Sequence, residues 1–419
     1  LRILILTNLF PPSVVGGYEL HCAAIARALA ERGHEIRVLT SWTHLPRPAP
    51  DPGWVERALH LNWFIPHLPG NPALAEREQH GAYCSAYENT AHLLRVLDAF
   101  QPEIVYAWNL IGLGAAALMD VLNQVEVPWA LHLGDRIPTD IIRHAPGSVL
   151  GLFNAEGAEL YRRARVLCIS ETLRDEIWQT SGIDFKERVE IVPGWAEPVA
   201  AQAHAPYLRG GQARFAVAGT IVAYKGIDLI LEAAARLDAE GVSFLVDCYG
   251  DGDLPNYVDR AHALQLEHRV RFLGPRPHRE LLALLGDYDA LLFPTWDREP
   301  FGMVPIEAAA RGTPPILTRL CGAAERLVDG VHCLKIDRTA EALAEAMAQV
   351  ACGAVDLERM GRAARRLVAG DLSLERCVQR IEAILAAAAR PWPHRAGLDP
   401  QLPLLAFLKH NLSVRLRFG

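Results

Sequence analysis

Short apolar runs recur along this chain with helical stretches between them, and that alternation restricts the fold more than any other feature. "RILILT" (2–7) is followed by a glycine-containing loop and then by "YELHCAAIARALAERG" (18–33), whose Leu20, Ala23, Ala24, Arg27 and Ala28 share a face at helical spacing. "HEIRVLTS" (34–41) reads as the next strand. A strand, helix and strand in that order make a βαβ unit, which pairs its strands in parallel. "EIVYAW", "VPWALHL", "RVLCIS" and "VEIVPG" continue the series to residue 194. The stretch 196–212, "AEPVAAQAHAPYLRGGQ", is rich in Ala, Pro and Gly and reads as a linker. The alternation then restarts with "ARFAVAGTI", "SFLVDCYGDGD", "RVRFLG", "DALLFPT", "PPILT" and "HCLKI", with helical stretches between them.

The expected fold is therefore α/β, with two Rossmann-like doubly wound domains whose strand ends face a central cleft, where ligands of such sheets bind. The boundaries read as 1–200 and 213–372, with 373–419 a final helix and tail expected to pack back on the first domain. Hydrophobic residues make up 51% of the 419, enough for two sizeable cores. A net charge of −7 argues against a nucleic-acid partner. The 8 cysteines are scattered without C-x-x-C or metal-ligand spacing, as in a reduced compartment. No secretory signal and no run of 18 apolar residues is visible, so a cytoplasmic location is expected.

Chemistry concentrates in strand-to-helix loops. In "NLFPPSVVGGYE", Gly16 and Gly17 allow close approach of a ligand to the start of the first helix. The loop is not G-x-G-x-x-G, so no dinucleotide site is signalled, and taken alone a Gly-Gly pair also suits a flexible loop. In "GTIVAYKG" (219–226), Lys225 stands where a phosphate can be neutralised, although by itself it also reads as a solvated lysine. "YGDGD" (249–253) by itself reads as a turn. "WDREPFGMV" leads into the helix "PIEAAARG" and sets Glu299 in the loop and Glu307 in the first turns. A helix start attracts an anion, whereas carboxylates accept hydrogen bonds from hydroxyls. A polyhydroxylated ligand carrying a diphosphate satisfies both, and a nucleotide sugar is such a ligand.

Together, "NLFPPSVVGGYE", "GTIVAYKGIDLILEA", "YGDGD", "RVRFLG", "PTWDREPFGMVPIEAAARGTPPI" and "CGAAERLVDG" resemble the family 4 retaining glycosyltransferases of the GT-B fold, over residues 1 to about 390. The resemblance implies a nucleotide-sugar donor held by Gly16, Gly17, Thr220, Lys225, Glu299, Glu307 and the segment Phe301, Gly302, Met303 and Val304. Lys225 would bind the diphosphate, Glu299 the transferred sugar and Glu307 the ribose. Two positions depart from the family pattern. Thr220 stands where an arginine is usual, which removes one phosphate cation. Gly134 stands where a histidine is usual near the transferred sugar, and His132, two residues earlier on the same strand face, is the candidate to replace it. The catalytic set is thus Glu299, Lys225 and His132.

The family's front-side route lets the leaving phosphate take the acceptor proton, needs no cofactor and, with no D-x-D at a suitable loop, no metal. A sugar-nucleotide epimerase or hydrolase on the same fold, and a catalytically inactive nucleotide-sugar-binding protein, are the alternatives. The acceptor is expected to be a carbohydrate, a lipid-linked sugar or a small molecule. The sequence names neither sugar nor base. Trp54, Trp63 and Phe64 are candidates for stacking on an acceptor or for the core. The tail "PLLAFLKHNLSVRLRFG" is apolar and basic without an acidic residue. It suits either packing on the first domain or peripheral contact with the inner face of a membrane.

Overall fold

The computed structural model describes residues 1–42, 51–62, 72–197, 204–296, 298–394 and 397–418. Trp63 and Phe64 lie outside these. The chain divides into two compact units. The first comprises Leu1–Ile169, Arg174–Val192 and Val378–Gly419, and the second Ser170–Leu173 and Pro193–Cys377. Each has its own sheet, and each follows the doubly wound topology expected of the GT-B fold.

The first sheet contains β1 (Arg2–Thr7), β2 (Glu35–Ser41), β3 (Val55–Leu59), β4 (Ile104–Asn109), β5 (Trp129–Leu133), β6 (Ala164–Cys168) and β7 (Val189–Ile191). Their order is β3-β2-β1-β4-β5-β6-β7, with all neighbours parallel. The second contains β8 (Ala213–Ala218), β9 (Phe244–Tyr249), β10 (Val270–Phe272), β11 (Ala290–Phe293), β12 (Pro315–Thr318) and β13 (Leu334–Ile336). It is ordered β10-β9-β8-β11-β12-β13 and is again parallel throughout. The strand order reverses between β1 and β4 in one sheet and between β8 and β11 in the other. A doubly wound sheet opens a crevice at such a point, because successive helices leave on opposite faces. The loops that follow β1, β8 and β11 are the ones singled out by their chemistry.

Central strands are apolar on both faces because helices cover both. All five residues of β5 are buried, as are all four of β11 and of β12. In the second unit Phe215 and Val246 of the sheet meet Ile230 and Leu231 of the helix Ile227–Ala239 and Met347 of the helix Ala340–Ala351 in one core. Each such large side chain contributes about 1.5–3 kcal/mol on burial.

Two sequence expectations need correction. The first sheet has a seventh strand, β3, in a stretch that had no strand assigned. It lies at the sheet's edge, where pairing on one side leaves only its last residue buried and no long apolar run to read. The helix Gly17–Glu31 buries Glu19, Cys22, Ala23, Ile25, Ala26 and Leu29, rather than a face including Arg27, which is exposed. Turning Ile25 and Leu29 inward removes more apolar area from water than turning in a row of alanines. The tail forms the helix Gln401–Phe418, although Arg415 and Arg417 alternate with apolar neighbours as in a strand.

Candidate active site

In the second unit the loops after β8 and β11 are fastened to one another. After β8 the chain passes exposed Gly219 and Thr220, makes a tight turn over Ala223–Lys225 and enters the helix Ile227–Ala239 through Gly226. Gly226 has φ +81°, and a Cβ there would stand 2.1 Å from the carbonyl oxygen of Pro294 in the loop after β11. Only glycine allows that approach. The turn directs the Lys225 ammonium onto the Glu299 carboxylate, which also accepts a hydrogen bond from Thr295 Oγ1 at 2.9 Å. Lys225 Nζ lies 5.5 Å from the ring centroid of Tyr224 and 5.6 Å from that of Phe293. The pair is mostly shielded, with side chains 23% and 12% exposed, so its charges act in a drier medium than on an open surface.

"CGAAE" supports this loop from behind. The Ala323 N–H donates to the Phe301 carbonyl at 2.7 Å and the Gly322 N–H to that of Glu299 at 3.1 Å. Phe301 is buried, Gly302 adopts φ +87°, and the helix Met303–Arg311 begins without a side-chain cap. Its first N–H groups, at Met303 and Val304, can therefore meet an anion. The "YGDGD" glycines serve packing. A Cβ at Gly250 would meet the Gly219 carbonyl oxygen at 1.8 Å, and Ile221 exchanges backbone hydrogen bonds with Asp251 and Asp253.

Glu307 lies in the second turn of the helix Met303–Arg311 and is buried. Its Oε1 accepts a hydrogen bond from His278 Nε2 at 2.8 Å. That contact holds the His278 pKa above its ordinary value against the opposing effect of burial. His278 and Thr295 are site residues that the sequence reading leaves out. The only sequence signal for His278 is its place at the start of a helix after a β-strand.

In the first unit, Gly16 and Gly17 are exposed, and a Cβ at either would meet nothing within 4 Å. The adjacent helix start is not wholly free for a ligand, because the buried Glu19 carboxylate accepts the N–H groups of Gly16 at 2.8 Å and Val15 at 3.2 Å. Tyr18 explains the departure at Gly134. Its hydroxyl lies 3.0 Å from the carbonyl oxygens of both Trp108 and His132 and accepts the Gly134 N–H at 3.2 Å. A Cβ at residue 134 would stand 2.6 Å from the Tyr18 ring, so Tyr18 excludes a side chain there.

His132 does not present itself at the strand end as expected. It is buried, its Nδ1 lies 2.8 Å from the Tyr106 hydroxyl, and its ring stacks on Trp108 at 3.8 Å between centroids. Burial pushes its pKa down to about 3, which keeps the ring neutral. Alternation along β5 puts residues 132 and 134 on one face, but the aromatic layer over that face closes on His132 as core. Asp135, next along, accepts the Ile137 N–H at 2.9 Å. Burial pushes its carboxyl up to about 7, Asp140 adds to the effect, and the Ile137 N–H and Arg136 oppose it.

Two family models match the chain consecutively. "Glycosyltransferase Family 4" matches residues 15–197 and "Glycosyl transferases group 1" matches residues 202–367. The chain belongs to the family 4 glycosyltransferases. The glycogen synthase of Mycobacterium tuberculosis is 26% identical over 99% of this chain and 100% of its own length. The D-inositol 3-phosphate glycosyltransferase of Corynebacterium diphtheriae is 32% identical over 29% of this chain and 30% of its own. Anabaena Alr3699/HepE, solved in complex with UDP, superposes with a TM-score of 0.68 at 18% identity, covering 92% of this chain and all of that one. This glycosyltransferase builds its second unit on a sheet whose switch-point loops carry Lys225 and Glu299.

Proposed function

We propose that this glycosyltransferase moves a hexosyl group from a nucleoside diphosphate sugar to an acceptor hydroxyl, with retention of anomeric configuration and without a divalent metal. The observation that carries the reading is the grouping of Lys225, Glu299 and the uncapped start of the helix Met303–Arg311 at one sheet's switch point, with Glu307 one turn further on. Lys225 and the helix N–H groups stabilise the leaving diphosphate. Glu299 accepts hydrogen bonds from hydroxyls of the transferred sugar, and Glu307 from the ribose. Phe301 and Gly302 shape the loop, and Val304 lines the pocket. Gly16 and Gly17 remain donor contacts by resemblance, and Thr220 supplies no cation. The bond from the anomeric carbon to the diphosphate oxygen breaks, the acceptor oxygen bonds the same face of that carbon, and its proton passes to the leaving phosphate. No protein nucleophile is required. His132, closed into the core, is left out of this scheme.

UDP in the HepE complex makes uridine diphosphate sugars the first donors to try. Incubation with a panel of donors and sugar acceptors, followed by proton NMR, should show product with the donor's anomeric configuration and equal rates in EDTA. Inverted product, or activity abolished by EDTA and restored by Mg²⁺ or Mn²⁺, would contradict the respective part of the reading. Free sugar or an epimer formed from donor alone would favour the epimerase or hydrolase alternative.

We also propose that the helix Gln401–Phe418 rests on an anionic lipid surface and brings the enzyme to a lipid-linked acceptor. The helix docks on the first unit through polar side chains, with the Phe407 ring edge-on to Tyr87 and the Phe418 ring edge-on to His80. Lys409 Nζ donates to buried Asp120 at 2.6 Å, Ser413 Oγ lies 3.1 Å from His80 Nε2, and His410 Nδ1 lies 3.1 Å from Ser85 Oγ. Its apolar side faces outward, with Leu404, Leu405, Phe407, Leu408, Leu412 and Leu416 between 41% and 58% exposed. Leu404, Leu408, Leu412 and Leu416 recur every fourth residue and form one stripe. Exposed Arg415 lies beside that stripe, and no acidic residue falls between Gln401 and Phe418, so charge favours anionic lipid. Among the described residues no helix is long and apolar enough to cross a membrane. Vesicles of phosphatidylglycerol at low salt should sediment the full chain but not a version ending at Leu402. Equal recovery of both in the supernatant would refute lipid binding, and a leucine-dependent dimer in light scattering would assign the stripe to a second copy instead.

A further inference from the structure

Glu307 is a carboxylate with one oxygen committed and one open. It is buried, and Oε1 is held by His278, whereas Oε2 receives no hydrogen bond from the described residues. That oxygen is not sealed off, so a ligand hydroxyl can donate a hydrogen bond to it. The carboxylate must also function near a ligand that carries a diphosphate, and an un-neutralised Glu307 would repel that ligand.

His278 meets that requirement. It opens the helix His278–Leu285 and reaches Glu307 across 29 positions of sequence. Its side chain is 45% exposed, so it lies at the surface beside Glu307 rather than in the core. The other charged groups acting on it are Glu197, which favours its protonated form, and Arg311, which opposes it. Glu307 is the nearest and strongest influence, and as an imidazolium His278 cancels its charge while its Nε2–H fixes the carboxylate plane.

We propose that His278 is a positioning residue for the nucleotide, holding Glu307 so that its open oxygen accepts a ribose hydroxyl and making preference for ribose over deoxyribose depend on the pair. The inference rests on the nucleotide-sugar reading of this site. It differs from that reading in assigning sugar discrimination to a residue that need not touch the nucleotide.

Calorimetry with UDP, 2′-deoxy-UDP, ADP and 2′-deoxy-ADP tests it on the full chain. The wild type should bind the ribose form of its preferred nucleotide about tenfold or more tightly than the deoxy form, the scale of one hydrogen bond to a charged group. His278→Ala should bring the ratio to within about twofold, with the ribose form losing more affinity than the deoxy form, because the hydrogen bond to the hydroxyl is lost on top of the charge compensation that both forms share. His278→Gln, which keeps an N–H donor but not the charge, should restore part of the preference. His278→Ala added to Glu307→Gln should cost nothing more in ribose preference. In the wild type the preference should fall as pH rises through the imidazole titration, and in His278→Gln it should not.

Loss of both ribose and deoxyribose binding in equal measure, or a ribose preference that survives His278→Ala, would overturn the proposal. If Glu307→Gln abolishes the preference while His278→Ala keeps it, the ribose role of Glu307 stands and that of His278 falls. If the wild type binds none of the four nucleotides, the nucleotide-sugar reading itself is refuted.

Discussion

Lys225 and Glu299 neutralise each other across the loops after β8 and β11, so a ligand that engages either must compensate the other. A diphosphate at Lys225 with a sugar at Glu299 does so, because the phosphate replaces the lost anion and the hydroxyls replace the lost donor. Lys225→Ala should therefore weaken nucleoside diphosphate binding by about 10–100-fold, the equivalent of about 1.5–3 kcal/mol for a charge-assisted contact. Unchanged affinity in calorimetry would remove Lys225 from the diphosphate. The two glutamates should behave differently. Glu307→Gln should weaken free nucleotide, since ribose belongs to the nucleotide. Glu299→Gln should leave nucleotide affinity within about twofold and lower kcat, since its partner is the transferred sugar. Matching kinetic profiles for the two variants would show these roles to be misassigned.

At the scale of elements, the terminal helix Gln401–Phe418 is held by polar contacts as well as by ring contacts of Phe407 with Tyr87 and of Phe418 with His80. Its anchor is the pair formed by Lys409 and Asp120, with Asp120 almost wholly buried. Burial raises the Asp120 pKa, and Lys409 opposes that shift. Lys409→Ala should thus cost about 1–3 kcal/mol by leaving Asp120 short of a partner. Replacing both residues with leucine should cost much less, because no unpaired charge remains. Urea unfolding of the two variants compares them, and equal losses would show that the pair contributes packing rather than charge compensation. The loop carrying Glu299 is an element held differently, by backbone contacts from Gly322 and Ala323 behind it. Its shape thus depends on those backbone contacts together with the Lys225 and Thr295 side chains on Glu299.

At the scale of the whole molecule, two sheets wound alike divide the chain, and the charged donor-binding candidates Lys225, Glu299, Glu307 and His278 all belong to the second unit. Saturating UDP should slow amide hydrogen exchange most in the helices Ile227–Ala239 and Met303–Arg311 and leave β4–β6 of the first unit near their free rates. Protection confined to the first unit would contradict the donor assignment. The two windings, their parallel strands and the loops that carry Lys225, Glu299 and Glu307 are legible in the sequence alone. Apolar runs, helical spacing and glycines at strand ends are local properties, and they bias the backbone before any distant contact forms. The edge strand β3, the buried setting of His132, the Tyr18 ring over Gly134, the outward leucines of the last helix and the reach of His278 to Glu307 were decided by tertiary structure. Each depends on which distant segments come to lie side by side, and a side chain's partner, exposure and protonation are fixed only once its neighbours have displaced water from it.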